Sequence, residues 1–304
     1  MALLLFSFLF AVLFTPLSVF CARRVGAIDL PDGERRCHAR PTARLGGLAL
    51  FFAVFAAALI FLPETPLRAA CLSGGALLSV LGISDDIFSL SPKIKLIAEA
   101  SIAFLPAAFS LYPRAFWLFG ESVSVPSWAG VLFSVSFTVI LSNAFNLVDG
   151  ADMLCTLEGA VASVALLPYV PEALTLLGAL LGFLPYNREA LSFVSFRKMP
   201  TRSFLGDTGA LFVGYALSVF TLSMRDFPLF ALFFFALPIY ELTSSFFRRA
   251  RKGKSPFLAD RSHLHHRLRD KGYDTGFAVL LLFLYAALFA SVGVLLIEVF
   301  SVAL

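Results

Sequence analysis

The chain is short of charge. Asp, Glu, Lys and Arg make up only 14% of its 304 residues, His occurs four times and Trp twice, while 59% of the residues are hydrophobic and 35 of them are Phe. An ordinary soluble domain is roughly 45–50% apolar and about 25% charged, so that class is excluded. The net charge of +4 says little until the charges are placed; no nucleic-acid partner is expected. The four cysteines, Cys21, Cys37, Cys71 and Cys155, are scattered and form no Cys-x-x-Cys pair. They therefore read as small core or lipid-facing residues, not as a disulfide framework or metal site. Residues 1–21 carry no basic residue ahead of their apolar run and no small-residue cleavage pattern, so a first membrane helix is expected there, not a removed signal peptide. There is no heptad, no obvious internal repeat and no low-complexity tract, which leaves inverted-repeat transporter architecture unsupported. No stretch remains for a soluble domain, and residues 1–304 read as a single polytopic membrane domain.

What is present is a series of apolar stretches, each of a length to cross roughly 30 Å of hydrocarbon as a helix. They cover residues 2–20, 46–62, 68–84, 96–112, 129–146, 154–169, 173–186, 205–223, 229–247 and 277–299. The expected fold is thus an all-α integral membrane protein, a bundle of about ten transmembrane helices. Connections after odd-numbered spans are polar and mostly long, whereas those after even-numbered spans are short or neutral. Of the 24 Lys and Arg, all but Arg68, Arg114 and Arg225 fall on the odd-span side. That asymmetry predicts a cytoplasmic odd-span side, with both termini outside; binding of anionic lipid heads by the same clusters is compatible with it. Between residues 113 and 128, the alternating run Glu121-Ser-Val-Ser-Val-Pro126 suits a small hairpin.

The ionisable residues gather in the odd-span connections. Asp85 and Asp86 stand where the third apolar stretch stops, followed by Lys93 and Lys95. A carboxylate at a bilayer centre costs about 2.5–3.5 kcal/mol, so the pair needs water, a cation or a polar cavity. Asn143-Ala-Phe-Asn146-Leu-Val-Asp149-Gly150-Ala-Asp152 joins spans five and six. Its two asparagines lie three apart on one helical face, and Gly150 lets the chain turn so that Asp149 and Asp152 point to one spot; the alternative is an ordinary solvated turn. Asp207, between Gly206 and Thr208-Gly209, is placed either to face a cation or to cap the eighth helix. The stretch from Arg248 to Arg269 includes Arg249, Asp260, Arg261, His263, His265 and His266. A zinc site would need His38 as fourth ligand, and a purely lipid-facing basic loop would need no histidines. Histidines interleaved with arginines suit an anion such as a diphosphate. Gly46-Gly47, next to Arg44, allows close helix packing. Five aspartates beside Arg, Lys and His on one face suit Mg²⁺ and phosphate, and so phosphoryl transfer at a membrane surface.

Taken in order, Arg35-Arg36-Cys-His38 with Arg44-Leu-Gly-Gly, Asp85-Asp86 with Lys95, Asn143-x-x-Asn146-x-x-Asp149-Gly-x-Asp152, Phe204-x-Gly-Asp207-Thr-Gly and Asp260-Arg261-x-His263-Leu-His265-His266-Arg267 resemble the polyprenyl-phosphate N-acetylhexosamine-1-phosphate transferase family, of glycosyltransferase 4 type. The resemblance covers nearly the whole chain. It implies a ten- or eleven-helix bundle in a bacterial inner membrane that transfers a sugar 1-phosphate from a UDP-sugar to a polyprenyl phosphate such as undecaprenyl phosphate and releases UMP. It also implies Mg²⁺, with Mn²⁺ as a substitute, as the first membrane step of a cell-surface glycan. On the resemblance, Asp207 matches the metal-binding aspartate, with Asp149 beside it. Asp85 and Asp86 match the pair that handles the lipid phosphate, and Asn143, Asn146, Asp149 and Asp152 the nucleotide and metal side. Arg249, His263, His265 and His266 match the part that holds diphosphate and sugar, and Lys95 is a further substrate-binding residue.

The His-Leu-His-His-Arg stretch is similar to the UDP-GlcNAc branch; the UDP-MurNAc-pentapeptide branch typically carries three histidines in a row followed by an acidic residue. Glu99 stands where the family usually has Gln, and Ala151-Asp152-Met153 where Leu-Asp-Gly is common. A phosphate monoester, with its second pKa near 6, is already largely dianionic at neutral pH, so Asp85 is expected to position the nucleophile more than to deprotonate it. The rival of another class is a polytopic lipid or solute transporter, supported only by Glu99 and Glu241 within or near spans. Pairing with itself as a homodimer is left open.

Overall fold

The computed structural model describes residues 1–30, 41–187, 202–224, 226–253 and 263–301. The Arg35-Arg36-Cys37-His38 and Asp260-Arg261 stretches, and the basic residues at 40, 188, 197, 198, 225 and 254, lie outside the described residues. In chain order the elements are α1 (Ala2–Val25), β1 (Ile28–Asp29), β2 (Thr42–Ala43), α2 (Gly47–Phe61), α3 (Pro66–Phe88), α4 (Pro92–Ile102), α5 (Phe104–Ala108), β3 (Ala115–Leu118), β4 (Glu121–Ser124), α6 (Ser127–Val148), α7 (Leu154–Leu166), α8 (Leu174–Phe183), α9 (Gly206–Leu222), β5 (Phe227–Pro228), α10 (Ala236–Arg251), α11 (Leu264–Asp270) and α12 (Thr275–Ser301). Every expected apolar stretch contains a helix. Five helical units are long and apolar enough to cross a membrane: α1, α3, α6, α12, and α10 together with the 3-10 turn before it, Leu229–Arg251. The apolar units Gly47–Phe61, Leu154–Leu166, Pro171–Tyr186 and Gly206–Leu222 are shorter. The molecule is a multi-pass, predominantly helical membrane protein.

The stretch 96–112, expected as one span, is broken at Ala103 between α4 and α5. Pro106 explains this, because it has no N–H to give the carbonyl of Ile102 and its ring crowds that carbonyl. The hairpin near residue 121 is present. β3 and β4 pair antiparallel with Leu118 opposite Glu121, joined by Phe119 and Gly120 at φ 50° and 84°. Two left-handed residues in a two-residue loop match the twist of the strands. β5 adds to β3 in parallel, and the ring of Phe119 lies 5.2 Å from that of Phe300 near the end of α12.

Packing follows the logic of a lipid solvent, in which small residues let helices approach. Along α1, Ser7, Ala11, Thr15, Ser18 and Ala22 are buried, while Leu5, Leu9, Leu13 and Leu17 face outward. The hydroxyls are satisfied inside the helix; Thr15 Oγ1 donates to the Ala11 carbonyl at 2.6 Å. At Gly178 of α8 a Cβ would stand 2.1 Å from Ser7 Oγ, so α1 and α8 touch backbone to side chain. At the centre is α9, in which every residue except Asp207 is buried.

Candidate active site at the junction of α3, α4, α6 and α9

Local sequence explains how the α3–α4 corner forms. Thr65 caps α3 by accepting from Arg68 N at 3.2 Å, and Pro66 fills the first helical position. The helix stops at Ser89, whose φ is 52°. Ser91 then caps α4, again with Pro at its start. The turn is held by Asp85, whose Oδ1 accepts from Leu90 N at 2.7 Å. Lys95, on the first turn of α4, comes back over the corner; its Nζ lies 2.8 Å from Asp85 Oδ2 and in close contact with Asp207 Oδ2. The amide of Asn146 is also within hydrogen-bonding reach of Asp207. Asp85, Lys95 and Asp207 thus form one charged cluster of three elements, with side chains 14%, 15% and 23% exposed.

Asp86 has a different task. It is only 5% exposed, and its carboxylate accepts from Thr208 N at 3.1 Å, Thr208 Oγ1 at 2.8 Å and Asp207 N at 3.2 Å. Arg44 Nε lies 3.5 Å away. α9 has no side-chain cap of its own; Asp86 supplies the acceptor and the negative charge that a helix start favours. The capping role weighed for Asp207 therefore belongs to Asp86, and Asp207 is left to face Lys95 and Asn146. The neighbouring aspartates, expected to act as a pair, point to different partners.

The start of α9 is also pinned by backbone. Phe204 N donates to the Ala43 carbonyl at 2.8 Å, and Gly46 N and Gly47 N donate to Phe204 and Leu205 carbonyls at 3.1 and 2.8 Å. Gly206 adopts φ 71°, and a Cβ there would stand 1.9 Å from the Arg44 carbonyl oxygen. Only glycine meets both demands.

The turn after α6 brings in the third wall. Asp149 lies near enough to Asp207, Asp152, Asp86 and Arg44 to feel their charges. Desolvation first, then the three carboxylates, pushes its carboxyl well above the usual range. Asp152 is tied to Arg202 Nη2 at 2.5 Å, and the Arg202 guanidinium lies 5.1 Å over the ring of Phe204. Asn187, missed in the sequence, joins this turn to the approach of α9. Its Oδ1 accepts from Met153 N at 2.8 Å and Thr156 Oγ1 at 3.2 Å, and its Nδ2 donates to the Ser203 carbonyl at 3.3 Å. Met153 is left-handed at φ 67°, a strained turn that these contacts secure. Asn143, expected on the nucleotide side with Asn146, is held beside the charged cluster by Glu99, which lies near enough to Lys95, Asp207 and Asp85 to feel their charges. Its amide donates to Glu99 on α4 and to the Val139 carbonyl at 3.0 Å.

The histidines close the site from above the Asp149 turn. His265 is 3% exposed, and a Cβ on Gly150 would stand 3.0 Å from its Cε1. Its Nε2 is buried without a hydrogen-bond partner among the described residues. Burial, with the neighbouring His266, His263 and Arg269, lowers its pKa from 6.5 to about 3. The rings of His265 and His266 are 4.1 Å apart, and Arg249 lies in the last turn of α10. Among the described residues, no group of three or more His, Cys, Asp or Glu is placed to hold a metal ion, and His38, the fourth ligand a zinc site would need, lies outside the described residues. Glu99 and Glu241, the support for a transporter, are each tied across helices, Glu99 to Asn143 and Glu241 to the histidine segment.

A sequence model described as glycosyl transferase family 4 matches residues 69–225. Curated relatives match over most of both chains. The undecaprenyl-phosphate alpha-N-acetylglucosaminyl 1-phosphate transferase of Yersinia pestis is 30% identical over 309 residues, 96% of this chain and 83% of the relative. The enzyme of the same name from Escherichia coli (strain K12) is 29% identical over 305 residues, covering 95% and 81%. The decaprenyl-phosphate N-acetylglucosaminephosphotransferase of Mycolicibacterium smegmatis is 28% identical over 316 residues, covering 88% and 75%.

Proposed function

Because the chain belongs to glycosyl transferase family 4, we propose that it transfers GlcNAc 1-phosphate from UDP-GlcNAc to undecaprenyl phosphate and releases UMP. The observation that carries the reading is the Asp85–Lys95–Asp207 cluster, set beside Asp149 at the end of the bundle where three loops converge. The names of the relatives, polyprenyl-phosphate GlcNAc-1-phosphate transferases of bacteria, agree with it. The reading places the site on the cytoplasmic face of a bacterial inner membrane crossed about ten times, with both termini outside.

Asp207 and Asp149 fit a hard cation. They are carboxylates, and the excess negative charge around Asp149 is what a divalent ion would offset. Mg²⁺, or Mn²⁺ in its place, would be held by Asp207 and Asp149. When bound, the ion neutralises charge developing on the diphosphate oxygens.

The remaining work falls to the chain's own groups. An oxygen of the lipid phosphate attacks the sugar-bearing β-phosphorus; the bond from that phosphorus to the bridging oxygen breaks, and UMP departs. Asp85 orients the acceptor, and Lys95 attracts its phosphate while holding Asp85 and Asp207 in register. Asp86 fixes Asp207 by capping α9. Asn146 and Asp152 line the nucleotide side, and the buried Nε2 of His265 faces the donor. Asn143 acts through Glu99 to hold α4 against α6.

Purified protein in detergent, given UDP-GlcNAc, undecaprenyl phosphate and Mg²⁺, is expected to release UMP and form a GlcNAc-diphosphate lipid. EDTA and Asp207→Asn are each expected to abolish turnover. No UMP from UDP-GlcNAc would refute the reading, and full Mg²⁺-dependent turnover by Asp207→Asn would refute the metal assignment.

A further inference from the structure

We infer that Glu241 of α10 is a positioning residue that sets the histidine segment over the Asp149–Gly150 turn and thereby tunes binding of the nucleoside-diphosphate sugar. The inference rests on the function proposed above.

Glu241 is 4% exposed, and both of its carboxylate oxygens go to the histidine segment. Oε1 accepts from Leu264 N at 2.5 Å, and Oε2 lies 3.2 Å from His263 Nδ1. Against an ionised carboxylate, which only accepts, His263 Nδ1 is the donor in this contact. The contact spans 22 positions of chain in the histidine direction. One carboxylate therefore fixes both the start of α11 and the ring orientation of its first histidine.

α11 has only seven residues, too few to hold a helix alone in water. Its place comes from outside. Leu264 and Leu268 pack against Val148, Ala151 and Leu154 on the α6–α7 turn, together with Leu237 of α10. Leu237 lies four residues before Glu241, on the same helical face. The apolar contacts hold α11 down but permit it to slide or rotate; the two directional contacts of Glu241 fix its register. With that register set, His265 comes against Gly150 with its Nε2 buried and unpartnered.

A donor held by a misplaced segment binds poorly, and a displacement of about 1 Å can cost on the order of 100-fold in rate. The lipid phosphate is handled at Asp85 and Lys95, on the other side of Asp207, so loss of Glu241 separates the two substrates. The test compares wild type with Glu241→Ala and Glu241→Gln in purified, melting-checked protein. UMP release gives KM for each substrate, and calorimetry gives UDP-GlcNAc binding. Glu241→Ala is expected to weaken UDP-GlcNAc about tenfold or more in both KM and Kd, while KM for undecaprenyl phosphate stays within about twofold. Glu241→Gln keeps an acceptor for Leu264 N and is expected to fall between. Should Glu241→Ala not survive purification, Glu241→Gln carries the same comparison. Unchanged UDP-GlcNAc affinity, or equal losses for both substrates, would overturn the inference while leaving wild-type turnover intact. Wild type that releases no UMP would instead overturn the proposed function.

Discussion

Replacing Asp86 by Asn separates the two neighbouring aspartates by what they hold. In wild type the Asp86 carboxylate takes three donors, Thr208 N, Thr208 Oγ1 and Asp207 N, with Arg44 3.5 Å away. A hydrogen bond to a charged group contributes about 1.5–3 kcal/mol, and a neutral one about 0.5–1.5, so neutralising the acceptor weakens each contact. An amide also turns one N–H toward the donors of α9, or leaves one of them unpaired, at about 1–3 kcal/mol. The helix start loses a further 0.3–1 kcal/mol or so of favourable charge. Since the losses overlap, about 2–4 kcal/mol in all is expected. Asp85→Asn keeps an acceptor for Leu90 N, and Lys95 keeps Asp207, so about 1 kcal/mol is expected there. At roughly 2 °C per kcal/mol for a chain of this length, Asp86→Asn should lower the melting midpoint in detergent by about 4–8 °C and Asp85→Asn by about 2 °C. Both should lose UMP release, Asp85→Asn with its fold nearly intact. Equal midpoints for the two variants, or a larger loss in Asp85→Asn, would refute the division of labour.

Two more outcomes follow from the same geometry. Gly206→Ala forces a side chain into a left-handed residue, about 1–2 kcal/mol by itself, and against the Arg44 carbonyl; thermal melting should show a larger loss than Asp86→Asn, with no turnover. The pKa of His265, lowered from 6.5 to about 3, means that the unfolded chain binds a proton more readily between those values. Its contribution to stability is therefore complete above about pH 6.5 and lost as pH falls toward 3; His265→Gln should flatten the fall in melting midpoint between pH 6.5 and 4.5, and an identical slope in both proteins would count against it.

Much of the site was legible because its residue types are expensive in a bilayer. Asp85, Asp86, Asp149, Asp152 and Asp207 stand out in a chain with so little charge, and the apolar stretches located the helices. Three features were not legible. Asp85 and Asp86 are chemically identical neighbours, and only the α3–α9 crossing gives one the helix start and the other Lys95. Asn187 and Glu241 gave no sequence sign of what they hold; their partners lie 16 to 34 positions away, at separations no helical or strand period marks. The break at Ala103 did have a local sign, Pro106, which hydropathy alone passes over.

The sequence by itself determined a helical membrane chain, the end of each helix where charge collects, and the residue chemistry suited to metal and phosphate. These depend on composition and local pattern, which act over a few residues. The tertiary structure decided which of those residues meet. Asp86 reaches Thr208 across 122 positions and Lys95 reaches Asp207 across 112, because α9 threads the centre of the bundle and its uncapped start must take an acceptor from α3. That requirement, a set of unpaired N–H groups away from water, turned a pair of like carboxylates into a cap and a charged neighbour of the site.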